Sequence, residues 1–158
     1  MTADQLTNDI QQKARMTGVH VAFDVPPFEA YYSPHTREVH AQEIRDWGLV
    51  AAPDASFVVH ETPDVAYFVA LHELGHAQTL PPGVPRYRAD GVEVLHYEAA
   101  AWEWAMENSA IPITARMREM AVAALVHYRE TSDGFAREYP PAQYARTMEK
   151  LTELAVAA

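Results

Sequence analysis

The stretch His72-Glu73-Leu74-Gly75-His76 constrains this chain more than any other, because it sets polar groups on a helix face that should be buried. Thr62 followed by Pro63 is a helix start, an N-cap residue with proline at the first helical position. Pro81-Pro82-Gly83 is a stop, so the spacing predicts a helix from Pro63 to about Thr79. Val65, Phe68, Val69, His72 and His76 share one face of it. Two imidazoles four residues apart stand close enough to hold one metal ion between them. Glu73, one position on, is angled to act as a general base toward a water beside that ion. This is the H-E-x-x-H arrangement of zinc hydrolases, which also requires a third protein ligand.

Composition narrows what can hold such an ion. The 158 residues contain no cysteine, so disulfides and thiolate sites are excluded and any metal must sit on His and carboxylate. Twelve Lys and Arg against twenty-two Asp and Glu give a net charge of −10, which argues against a general nucleic-acid-binding surface. Hydrophobic residues at 49% and charged residues at 22% are ordinary for a globular chain of one domain, residues 1–158. Met1 to Met16 lacks the apolar core of a signal peptide, and no apolar run is long enough to span a bilayer. A cytoplasmic protein without membrane contact is the expectation.

Around the central helix, Leu6, Ile10 and Ala14 mark an amphipathic first helix over residues 3–16, stopped by Gly18. Residues 19–23 alternate as a strand does and end before Pro26-Pro27. Residues 28–32 and 37–41 read as a hairpin about Ser33-Pro34-His35-Thr36, residues 42–54 as a helical turn or loop about Trp47, and residues 56–60 as a further strand. A Pro- and Gly-rich connector from Leu80 to Ala89 leads to Asp90-Gly91-Val92-Glu93, a capping-box pattern opening a helix over residues 91–108. Another helix is predicted over residues 113–131, ending at Ser132-Asp133-Gly134. A last one follows Pro140-Pro141, with Tyr144, Met148, Leu151 and Leu154 as its stripe. The expected fold class is α+β: an N-terminal helix, a small twisted sheet of three to four strands, the H-E-x-x-H helix, a Glu-bearing helix, and two further C-terminal helices.

The third ligand is sought on the helix after the connector. Its apolar face comprises Val94, Leu95, Ala101, Trp102 and Ala105, and Glu98 falls inside that stripe. A buried carboxylate is costly unless an arginine or a metal compensates it. Beside an H-E-x-x-H helix the metal is the better partner, since His-His-Glu is a zinc ligand set.

His72-Glu73-Leu74-Gly75-His76 followed by Glu98-Ala99-Ala100-Ala101-Trp102-Glu103-Trp104-Ala105 resembles the ImmA/IrrE-type metallopeptidases. These are small gluzincins common in phages and mobile elements, whose third ligand lies in E-x-x-A-x-x-[aromatic]-A. An antirestriction-associated metallopeptidase domain is a near alternative. The resemblance covers residues 3–108 as a metallopeptidase core and leaves 109–158 as a C-terminal helical extension. It departs from the thermolysin type in carrying Trp102 where that type has Asp.

The resemblance implies a zincin-like fold and one Zn²⁺ on His72, His76 and Glu98. It also implies Glu73 as the general base of peptide-bond hydrolysis, with a peptide or regulatory protein as substrate. Zincins add a group that stabilises the tetrahedral oxyanion, and Tyr97, His127, Tyr128 and Arg86 are the candidates. Phe57, Val58, Val59 and His60 form a candidate edge strand on which a substrate could add as an extra strand. Two other readings stand beside this one: a non-catalytic metal-binding regulatory or interaction protein with a zincin fold, and a plain α+β domain in which the motif is accidental.

Overall fold

A computed structural model of the chain describes residues 1–81 and 91–157, with side chains as far as residue 153. The first helix, α1, spans Ala3–Thr17. Thr2 and Gln5 form a reciprocal capping box at its start, and Gly18 ends it in the left-handed conformation at φ 71°. Leu6, Ile10 and Ala14, the stripe legible in the sequence, are its buried residues.

Three strands follow: β1 (His20–Ala22), β2 (Tyr31–Ser33) and β3 (Glu38–His40). They form one sheet in the order β1-β3-β2. The expected hairpin is present, with Tyr32 opposite Val39 in an antiparallel pair, and β1 runs parallel to β3 on its other side. Next come β4 (Leu49–Ala51) and β5 (Val58–His60), an antiparallel hairpin forming a second sheet. The expectation of one sheet with three to four strands is therefore corrected to five strands in two sheets among the described residues, and the stretch read as a helical turn or loop about Trp47 contains β4. Trp47 N–H donates to the Glu61 carbonyl and Glu61 N–H to that of Gly48, so the hairpin is closed at its base by backbone bonds. Gly48, at φ 75°, supplies the left-handed residue this closure requires.

The helix α2 spans Pro63–Thr79 and bears the H-E-x-x-H residues. Thr62 occupies the N-cap position with extended backbone, and Pro63 opens the helix. The Thr62 hydroxyl does not cap the backbone, however; it donates to Asp64, which also accepts from Thr114 Oγ1. Burial goes beyond one stripe, since every residue from Val65 to His76 is buried. A helix covered on all sides is the central rod of its fold. It is tied to both flanks through Tyr67, whose hydroxyl donates to Asp9 Oδ2 on α1 (2.6 Å) and accepts from Ala110 N–H (3.0 Å).

Four helices follow: α3 (Val92–Asn108), α4 (Ala115–Thr131), α5 (Gly134–Glu138) and α6 (Ala142–Ala157). Two C-terminal helices were expected after the Glu-bearing one, and there are three. Asp133, read as part of a stop, caps the short α5 by accepting from Ala136 N–H at 2.8 Å. The N-cap of α3 is Gly91 without a side-chain bond, and the other half of the expected capping box, Asp90, lies outside the described residues.

The last helix braces α3. Arg146 grips Glu103 with two bonds of 3.0 and 2.6 Å, and buried Thr147 donates to the Ala99 carbonyl at 3.0 Å. The fold is thus α+β, with α1 before the strands and the other described helices after them. Among the described residues no helix is long and apolar enough to cross a membrane.

Candidate metal centre

His72 and His76 leave α2 one turn apart, and Glu98 meets them from α3. His72 Nε2 lies 2.8 Å from Glu98 Oε2 and His76 Nε2 lies 3.2 Å from Oε1. The two imidazole Nε2 atoms are 3.1 Å apart. Each of the three residues is 5% exposed, so the cluster is closed off from bulk water. Two nitrogens and a carboxylate converging in this way form a buried group that could hold a metal ion.

The electrostatics agree with a site built for positive charge. Burial opposes ionisation of Glu98, but His76 and His72 more than offset it and hold its carboxyl well below the usual range. Burial likewise opposes a charge on His76, and the Glu98 carboxylate overrides it, raising His76 to about 9. A cation bound here would compensate the buried Glu98 carboxylate.

Two neighbours set the geometry. Gly75 lies against Ala101 so tightly that a Cβ on Gly75 would stand 2.6 Å from the Ala101 carbonyl oxygen. This close crossing of α2 and α3 brings Glu98 within reach of both histidines. Trp102, four residues after Glu98, stacks on the His72 ring at 3.9 Å between centroids and 23° between planes. His72 Nδ1 has no hydrogen-bond partner among the described residues. Ring stacking therefore orients this imidazole, where histidine ligands ordinarily rely on a hydrogen bond to the second nitrogen. Trp102 was legible in the sequence only as core; its i, i+4 relation to Glu98 is the signal that could have placed it at the site.

A cavity of about 310 Å³ opens onto the cluster, and Glu73, His72, Glu98 and Trp102 form part of its wall. Glu73 is buried, and desolvation raises its carboxyl pKa, with the two histidines opposing and Glu98 adding to the rise. Across the cavity stands α4 with His127 and Tyr128. The Tyr128 hydroxyl is driven upward by the Glu98 charge, then by burial and Glu73, so it stays protonated and available as a donor. His127 Nε2 lies 3.3 Å from Asp54 Oδ2, at the tip of the β4–β5 hairpin.

The remaining candidates separate. Tyr97 is half-buried beside His96 and is not among the residues that line the cavity. Arg86 lies outside the described residues. Of the expected edge strand only Phe57 reaches the cavity. Val58 faces solvent, Val59 enters the core, and His60 turns to Asp46 at 3.2 Å. Phe28 and Ala30, leading into β2, line the cavity as well, a contribution hidden in the sequence because it depends on how the first sheet folds back over α2.

Among known proteins, no family model, curated protein or solved structure matches this chain. The functional reading rests on the geometry of the chain itself.

Proposed function

We propose that the protein is a zinc-dependent metallopeptidase in which His72, His76 and Glu98 hold the ion and Glu73 is the general base. The observation that carries this reading is the convergence of His72, His76 and Glu98, of which His72 and Glu98 line one cavity together with Glu73. Tetrahedral ligands about 2.0–2.1 Å from Zn²⁺ stand about 3.3 Å from one another. The two imidazole nitrogens, 3.1 Å apart, and the Glu98 oxygens, Oε2 at 2.8 Å from His72 and Oε1 at 3.2 Å from His76, are near enough to that spacing for the residues to fit the ion.

When bound, Zn²⁺ supplies Lewis acidity toward water and a carbonyl oxygen. The chain supplies the rest. Glu73, on the cavity wall beside His72 and Glu98, takes a proton from the attacking water and passes it to the leaving amine. Tyr128, protonated and facing the two carboxylates, donates a hydrogen bond to the oxyanion as the carbonyl becomes tetrahedral. Low exposure of the cluster strengthens each of these interactions.

A non-catalytic metal-binding protein would keep the same ligands, and the two readings part at Glu73. Glu73→Gln retains the carboxylate's shape without its basicity. With a denatured protein substrate, the proposal predicts loss of cleavage by about 10³-fold or more with one zinc still bound. Wild-type protein that holds zinc but cleaves nothing would favour the non-catalytic reading.

A further inference from the structure

We infer that the apolar half of the cavity is a side-chain pocket selecting one large apolar residue next to the scissile bond, with the β4–β5 hairpin as its outer wall. The inference rests on the peptidase reading above and names the substrate class for the same site. Phe57, from the hairpin, meets Phe28 edge-to-face at 5.6 Å and 74° and approaches His127 at 6.2 Å. Met120 and Ala124 complete the pocket from α4, where they share a helix face with Tyr128 at successive four-residue steps.

Phe28 holds its ring there from a backbone at φ 68°, a conformation sparsely populated by bulky residues and kept where the surrounding structure enforces it. The Asp54–His127 contact closes the hairpin tip against α4 on the far side. A cavity of about 310 Å³ is at the small end of ligand pockets, enough for one side chain and its peptide group. Walls made by Phe28, Phe57, Met120 and Ala124 penalise an acidic residue by desolvation.

The selection can be read without turnover. Zinc-loaded protein is titrated calorimetrically with acetohydroxamate and with 3-phenylpropanohydroxamate, which share the metal-binding group and differ in the apolar arm. Wild type binds the phenyl compound roughly 10- to 100-fold more tightly. Ala124→Phe, which fills the pocket, brings the ratio of the two affinities to about one, and Phe57→Ala, on the hairpin, lowers it by removing the wall. Equal affinities in the wild type, or a ratio untouched by both substitutions, overturn the inference while leaving the metal site standing. A protein that retains no zinc overturns the peptidase reading and the inference with it, and zinc-loaded protein that binds neither hydroxamate overturns the inference.

Discussion

Gly75 of α2 and Ala101 of α3 touch so closely that the first has no room for a methyl group: the nearest atoms to its missing Cβ are the carbonyl oxygen, Cα and carbonyl carbon of Ala101, at 2.6, 3.0 and 3.1 Å. All three belong to the backbone and cannot swing aside. Gly75→Ala forces the two helices apart and draws Glu98 away from His72 and His76. We expect it to destabilise the fold by about 1–3 kcal/mol and to weaken zinc binding by at least tenfold. Thermal melting with and without zinc, together with chelator competition, reads both effects; a fully zinc-competent Gly75→Ala protein would contradict the account.

Trp102 supports His72 by stacking. Trp102→Phe keeps an aromatic face and should retain most zinc affinity, whereas Trp102→Ala leaves the ring free to turn and should lose about 10- to 100-fold. Competition with a calibrated zinc indicator distinguishes the two, and equal affinities for both variants would remove the stacking argument.

The hairpin base holds a further buried carboxylate. Glu61 and Gln42 are fully buried and joined by one bond of 2.7 Å, and burial lifts the Glu61 pKa to about 7, the bond to Gln42 opposing. The folded value exceeds the unfolded one, so this group's stabilising contribution is complete below the unfolded value of 4.5 and is lost as pH rises through 7. The loss amounts to roughly 3 kcal/mol. Glu61→Gln abolishes that titration, and the stability of the variant relative to wild type should climb between these pH values. Denaturant melts of both proteins from pH 4 to 8 give the difference curve, and a flat curve would refute the assignment.

The C-terminal helix acts on the site through α3. Thr147→Val keeps the shape and removes the bond to the Ala99 carbonyl, next to Glu98. A stability loss of about 1 kcal/mol is expected. Arg146→Ala should lower stability further by freeing Glu103, whose carboxyl is held below its ordinary pKa against its burial by Arg146 and Lys150. Urea unfolding of the two variants measures each contribution, and unchanged midpoints would detach α6 from the site.

The parts legible in the sequence were those with local causes. Thr62-Pro63 and the prolines after Thr79 bound α2 where its start and stop signals lie. Glu98 stood out because an apolar stripe containing one carboxylate demands a partner, and α2 provides it. Strand β4 was missed because Leu49–Ala51 is too short for alternation to register, and its pairing depends on β5. The short α5 was missed because its cap, Asp133, also reads as a turn residue. The contributions of Gly75, Trp102 and Phe28 come from contacts between elements, which local patterns do not contain.

The central claim is that His72, His76 and Glu98 bind one ion and that Glu73 does not. Zinc stoichiometry by elemental analysis after dialysis, on wild type and on the Glu98→Ala and Glu73→Gln variants, tests it most directly. The account predicts one zinc per chain in wild type and Glu73→Gln, and a loss of affinity of at least about 100-fold in Glu98→Ala. Wild-type protein without stoichiometric zinc, or Glu98→Ala that binds it as wild type does, would contradict the account.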